Sequence, residues 1–233
     1  MKKDMGGAAH VLGLARMIME NNVNVRLRVL IPAVENAISG NAMRPGDIYP
    51  SRKGLSVEIE NTDAEGRLIL ADALAEAASE KPDLLIDFAT LTGAARVALG
   101  PDVPPFFTDK PDLAAALVKS GMDMQDPLWQ LPLWDDYYAM MHGNGVADIC
   151  HTSAGGHGGA ITAALFLKKF VEEDMNWVHI DTWAWRASNR PGRPKGGDAI
   201  GMRAVYDVVK NRYGIAKAKP KKTSSTKAKA PKK

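Results

Sequence analysis

Short runs of β-branched and other apolar residues alternate along this chain with longer segments whose apolar side chains recur every three or four positions. That alternation constrains the fold more than any other feature. Runs over 25–31, 56–60, 84–88, 146–150 and 177–181 read as strands. Segments over 6–20, 66–78, 112–121, 159–171 and 202–212 read as helices. Three of the helices carry clear apolar stripes: Ala8, Val11, Leu12, Ala15 and Met19; Leu70, Ala73, Leu74 and Ala77; and Ala160, Ala163, Ala164, Leu167 and Val171. Each stripe needs a layer to bury against, and apolar strands need cover on both faces. The fold class is therefore α/β, with a mixed, mostly buried sheet flanked by helices. No strand precedes the first helix, so the sheet is expected to be incomplete at the N-terminus.

A sizeable core is within reach of 233 residues, 45% hydrophobic and 24% charged, a balance that excludes a disordered or fibrous chain. One cysteine, Cys150, excludes an internal disulfide framework and fits a cytoplasmic setting. The formal charge of +3 is set by the end of the chain. Residues 215–233 carry eight lysines and no acid, which leaves 22 basic and 27 acidic side chains, a charge of −5, in residues 1–214. Residues 1–214 read as one domain and 215–233 as a disordered lysine-rich tail with little to bury. Such a tail is either a solvated segment or a weak, sequence-blind contact for nucleic acid. Lys2 and Lys3 before an apolar stretch imitate a signal peptide, but Asp4, His10 and Arg16 interrupt it. The longest uncharged run, 149–167, is rich in glycine and holds His151 and His157, so no membrane span is expected.

The segment SVEIENTDAEGRLILADAL, residues 56–74, carries the chemistry. A strand ends near Asn61, a tight loop follows, and a helix begins near Gly66. Asp63 and Glu65 thus sit just past the carboxyl end of a strand, where open α/β sheets bind ligands. Two carboxylates one residue apart offer the oxygen donors that divalent cations take. Arg67 offers a fork for a small oxyanion. The same acids also suit an ordinary helix N-terminus facing the helix dipole, and spacing alone leaves both readings open.

NTDAEGRL at 61–68 resembles the signature of the leucyl (cytosol) aminopeptidase family of two-metal exopeptidases. Further blocks resemble that family in order: MKKDMGGAA at 1–9, ENAISGNAMRPGDI at 35–48, DFATLTGA at 87–94 and PLWQLPLWDDY at 127–137. GGAITAALFLKKFV at 158–171 and RPGRPKGGDAIGMRAVYDVV at 190–209 complete the series, and only the lysine tail falls outside it. The resemblance implies a zinc-exopeptidase-like α/β/α fold. It also implies release of N-terminal amino acids, leucine and other apolar residues preferred, by a two-metal-activated water. Asp4, Asp63 and Glu65 are the implied ligands of two divalent ions, manganese or zinc, or magnesium, with Glu65 bridging them. Arg67 is the implied catalytic residue, holding a bicarbonate general base together with Gly66 and Leu91. Thr90 and Gly93 would line the pocket for the first side chain, with Met1 at its rim. The implied partners are peptides with a free N-terminus and further copies of the chain in a homohexamer.

The resemblance also exposes a gap. Family members carry a lysine and a bridging aspartate as further metal ligands, and a second catalytic lysine, in a block before the Asp4 motif. Neither that block nor the family's separate N-terminal domain stands in this sequence. Three carboxylates are too few to close two metal sites, and the absent block is expected to supply a central strand, leaving its neighbours with unpaired edges. The expectation is a partial catalytic domain that is a poor enzyme by itself. The alternative is a catalytically inactive form acting as a structural or nucleic-acid-binding protein through its basic tail.

Other candidates carry less. The five histidines show no metal-ligand spacing and read as core or surface residues. Ser153 and His157 lack a nucleophile elbow, and Cys150 reads as an inert buried thiol. SAGGHGGA at 153–160 lacks the Lys-Ser/Thr of a phosphate loop and reads as a close-packed helix entry. Trp129, Trp134, Trp183 and Trp185 read as core or subunit-interface anchors.

Overall fold

A computed structural model of the chain describes residues 3–35, 37–143 and 145–216. Met1 and residues 217–233 of the lysine tail lie outside the described residues. The chain runs α1 (Gly6–Glu20), β1 (Ile48–Pro50), β2 (Ser56–Glu58), α2 (Glu65–Ala78), β3 (Leu85–Ala89), α3 (Gly93–Leu99), β4 (Pro105–Phe107) and α4 (Pro111–Asp123). It continues through β5 (Trp129–Gln130), β6 (Ile149–Cys150), α5 (Gly159–Lys168), β7 (Trp177–Asp181), β8 (Trp185–Arg186), β9 (Gly196–Gly197) and α6 (Met202–Tyr213). This is a mixed α/β fold with sheets flanked by helices.

The main sheet has the order β3-β7-β4-β5, with β3 parallel to β7, β4 antiparallel to β7, and β5 parallel to β4. All five residues of β7 are buried, and their alternation serves two cores. Val178 and Ile180 pack with Phe88, Phe106, Leu14 and Val205 in a core under α1, α4 and α6. Trp177 joins Val57, Leu74, Phe166 and Phe170 in a second core between β2, α2 and α5. The strands β1, β2 and β6 form a smaller sheet, with β1 antiparallel and β6 parallel to β2.

The parallel register sets Ala89 opposite Asp181 at the carboxyl ends of β3 and β7. The Leu85 N–H donates to Asn176 O, and Ala89 O accepts from the Thr182 N–H. In a parallel ladder Leu85, Asp87 and Ala89 therefore face β7, while the backbone groups of Ile86 and Phe88 point to the other edge. No strand pairs with that edge among the described residues.

Several expectations need correction. The strand expected over 25–31 does not form. Residues 26–35 make no backbone–backbone hydrogen bond among the described residues, and Leu27, Ile31 and Val34 are exposed. A run that alternates correctly still needs a neighbour to supply its ladder. Arg28 instead pairs with Glu76 on α2, 3.0 Å away, and with Glu80 in the turn after it. The strands expected over 56–60 and 146–150 shorten to β2 and β6, and α3, β1, β4 and β5 were not anticipated.

The stripe read in the first helix is also displaced. Leu12 and Met19 are 56% and 63% exposed, whereas Gly7, His10, Leu14 and Ile18 are buried. The cause is a close approach of backbones. A Cβ at Gly7 would stand 2.2 Å from Phe88 O, so only glycine lets α1 settle on β3 there. In α2 the buried line is Leu68, Ala71, Leu74 and Ala78, so only Leu74 of the expected stripe is buried. The α5 stripe is buried throughout. Trp129 and Trp134 are each 55% exposed and take no part in the core, while Cys150 is buried. No helix among the described residues is long and apolar enough to cross a membrane.

Candidate active site

The loop from β2 to α2 is built by local hydrogen bonds. Asn61 Oδ1 accepts from the Asp63 N–H at 3.0 Å, an Asx turn that starts the 3₁₀ turn Thr62–Ala64. Glu65 opens α2, where its charge meets the helix dipole. The fully buried His151 clamps this loop from the end of β6. Its Nδ1 lies 3.0 Å from Glu58 O and 3.2 Å from the Glu60 N–H, and its Nε2 lies 2.9 Å from Asn61 O. Burial lowers the His151 pKa, outweighing its carbonyl partners, and the nearby Arg67 cation acts in the same direction. Burial thus favours the neutral ring.

Arg67 Nη1 donates to His151 O at 2.6 Å, and Arg67 Nε is buried with no partner. Burial pulls the Arg67 pKa down against the attraction of Asp181. Asp181 in turn holds the loop after β3. Its Oδ1 accepts from the Leu91 and Thr92 N–H groups at 3.0 and 3.2 Å, and its Oδ2 accepts from Thr92 Oγ1 at 2.6 Å. Thr92 Oγ1 also caps α3 by accepting from the Ala95 N–H. Burial raises the Asp181 pKa even though these donors and His179 oppose it.

Behind the loop, His179 Nδ1 lies 2.6 Å from Asp87 Oδ1, and Trp177 Nε1 donates to Asp87 Oδ2 at 2.9 Å. Burial works to lower the His179 pKa, but the Asp87 carboxylate outweighs it and holds the imidazole above its ordinary value. His179 Nε2 is buried without a partner.

Asp4, Asp63, Glu65, Gly66, Arg67, Thr90, Leu91 and Gly93 all line one cavity of about 1360 Å³. Gly66 and Leu91 are neighbours, since a Cβ on Gly66 would lie 4.0 Å from Leu91 Cδ1. Met1, expected at the rim, lies outside the described residues. Asp4 is exposed just before α1 and sits 3.0 Å from Lys3 Nζ. Sharing a cavity is not the same as sharing an ion. Among the described residues no three His, Cys, Asp or Glu side chains are grouped so as to hold a metal. Among the described residues, then, the two-ion site that the resemblance implies is not assembled.

Three features of the site went unread in the sequence. His151 and Asp181 fix its two loops, and Trp183 is flanked by the Lys3 ammonium at 4.3 Å and the Arg96 guanidinium at 3.9 Å. Asp181 had a signal: it ends the strand expected at 177–181, at the carboxyl edge where α/β sheets place ligands.

The family model for the cytosol aminopeptidase family, catalytic domain, matches residues 1–206. The cytosol aminopeptidase of Encephalitozoon cuniculi is 44% identical over 201 residues, which are 86% of this chain and 41% of that protein. The crystal structure of cytosol aminopeptidase from Coxiella burnetii superposes with a TM-score of 0.88 at 54% identity, over 91% of this chain and 46% of the other. The bottromycin maturation enzyme BotP, solved in complex with Mn, gives a TM-score of 0.86 at 34% identity, over 91% and 48%. This chain therefore spans less than half the length of each of these proteins.

Proposed function

The chain belongs to the cytosol aminopeptidase family by its catalytic domain, and from that premise we propose that, acting alone, it is a catalytically silent form of that domain with a structural or binding role. The observation that carries this reading is that Asp4, Asp63 and Glu65 reach one cavity without forming a metal-holding group among the described residues. A two-ion site must bring carboxylates within a few ångströms of each other, and their repulsion opposes this until enough ligands and ions compensate.

The lysines of 215–233 offer the binding role. If all eight engage phosphates, affinity falls with salt along a log–log slope of roughly −7. A chain ending at residue 214 that binds DNA as well as the full chain refutes the tail's part.

A second reading is favoured by the family match and by Arg67, whose buried Nε has no partner. In it the chain contributes to an aminopeptidase that removes leucine and other apolar N-terminal residues in the cytoplasm, within a homohexamer. Asp4, Asp63 and Glu65 would then be ligands for manganese, zinc or magnesium once further ligands are supplied. Arg67, Gly66 and Leu91 would hold bicarbonate, and Thr90 and Gly93 would border the substrate side chain. Leucine-amide hydrolysis by the full chain in Mn²⁺ or Zn²⁺ separates the readings. The silent form gives no turnover above buffer, and turnover lost in Asp63→Ala and Glu65→Ala establishes the peptidase instead.

A further inference from the structure

Two positive charges converge on one indole in the wall of the cavity. Trp183 follows β7 and lines the cavity together with Lys3, Thr90 and Gly93. Its half-buried ring is flanked by the Lys3 ammonium at 4.3 Å and the Arg96 guanidinium at 3.9 Å. The Lys3 side chain is only 19% exposed, so its charge is partly withdrawn from water.

The backbone sets these groups in place. Gly93 opens α3 and Arg96 stands one turn later, so both lie on one face of that helix. Helical side chains lean toward the N-terminus, which carries the Arg96 stem back toward Gly93. A Cβ built on Gly93 meets nothing within 4 Å, so open space adjoins this face. The loop before α3 is held in turn by Asp181, through the Leu91 and Thr92 N–H groups and the Thr92 hydroxyl.

Donors outnumber acceptors around the ring. Asp4 sits 3.0 Å from Lys3 Nζ and takes part of that charge. Among the described residues the Arg96 guanidinium has no carboxylate partner and Trp183 Nε1 has no acceptor. Cations against the faces of an indole leave its electropositive edge, and the N–H on it, for an anion. An apolar side chain placed here would strip water from these donors and return no hydrogen bond. A carboxylate accepts from the arginine fork and from the indole N–H alike. The acids of the same cavity, Asp4, Asp63 and Glu65, suit the opposite charge. A residue with a free ammonium and an acidic side chain carries both.

We infer that Trp183, Lys3 and Arg96 form a subsite for a carboxylate, the acidic side chain of the first residue of a peptide, in place of the apolar side chain that the family resemblance implies. The inference rests on the reading in which Thr90 and Gly93 border that side chain. It needs neither metal nor hydrolysis, so it applies equally to a silent domain that only binds. Arg96 is then the residue that sets specificity, and Trp183 positions its guanidinium by stacking on it.

The probes are three dipeptide amides, Glu-Ala, Gln-Ala and Leu-Ala, together with Gln-Ala bearing a free C-terminal carboxylate. Calorimetry on the full chain without added metal is expected to give Glu-Ala amide an affinity at least tenfold above each of the others. Bound Glu-Ala amide is also expected to shift the Trp183 indole N–H signal in NMR, assigned by its loss in Trp183→Phe. Arg96→Ala should remove at least tenfold of the preference for glutamate over glutamine, and Arg96→Lys, which keeps the charge without the fork, should keep part of it. Trp183→Phe keeps a ring and loses the N–H, and should weaken Glu-Ala amide about threefold even if the alanine variant fails to fold. A stack with only a structural role predicts a lower unfolding midpoint in Arg96→Ala with the preference unchanged, and that result overturns the proposal. So do equal affinities for the glutamate and glutamine amides, a preference for Leu-Ala amide, or no binding at all. Tighter binding of Gln-Ala with its free end than of Glu-Ala amide overturns it too, by assigning the carboxylate to the end of a short peptide. Leucine-amide turnover with Mn²⁺, measured in separate samples, reports on catalysis alone.

Discussion

Replacing Gly7 by alanine is expected to destabilise this protein, reversing the usual effect of that change in a helix. Within α1 the substitution should gain about 1 kcal/mol through helix propensity. Against it, the new Cβ would stand 2.2 Å from Phe88 O and 2.9 Å from Ala89 Cα. Both atoms belong to the backbone of β3, which is fixed by its ladder to β7. Ordinary contact begins near 3.4 Å, so the helix must withdraw by roughly 1 Å, and close-packed interiors absorb such shifts poorly. The withdrawal also loosens the His10 ring stacked 5.2 Å from Phe88. Overpacking of this kind costs about 1–3 kcal/mol, and with the loosened contacts the net loss is about 1–2 kcal/mol. Gly13 in the same helix is the control. Its Cβ would meet Met202 Sδ at 2.8 Å, the end of a flexible side chain that can turn away. Gly13→Ala should therefore be neutral or stabilising by up to about 1 kcal/mol. Urea unfolding midpoints measure both variants. Equal stability of the two, or a Gly7→Ala chain as stable as the parent, would refute the claim that α1 is seated on β3 by glycine.

Asp181→Ala is expected to cost about 2 kcal/mol or more, because Leu91 N–H, Thr92 N–H and the Thr92 hydroxyl all lose their acceptor. Faster amide exchange confined to 90–93 would accompany it, and unchanged exchange there would contradict the clamp. The histidines should titrate in opposite directions by NMR: His10 and His151 below 6.5, because burial disfavours their charge, and His179 above it, because Asp87 outweighs burial. The stability from His10 and His151 is full above pH 6.5 and is lost as pH falls through their lowered values. That from His179 is full below 6.5 and is lost as pH rises through its raised value. A titration of His151 above 6.5 would undo its assignment as a neutral clamp.

Much of this was legible before any coordinates. The bounds of α1 and β7 follow from the sequence pattern, because local periodicity and β-branched content agree with the tertiary fold there. The loop of Asp63 and Arg67 and the loop of Thr90 and Gly93 could be placed at strand ends for the same reason. Residues 25–31 were misread because alternation reports a strand's faces and says nothing of whether a neighbour exists. The α1 face was misread because hydrophobicity favours Leu12 and Met19, whereas the packing is decided by Gly6 and Gly7, which carry no hydrophobic signal. His151, 84 residues from Arg67 along the chain, binds the site through its ring and its carbonyl, and no local pattern marks such a contact.

The central proposal is that this chain, acting alone, brings Asp4, Asp63 and Glu65 to one cavity without holding a metal ion. Counting ions directly tests it: the full chain is equilibrated with Mn²⁺ or Zn²⁺, passed through gel filtration and assayed for metal per protein. The expected result is no tightly held ion, the same as for Asp63→Ala. Two ions retained per chain, both lost in Asp63→Ala, would contradict it.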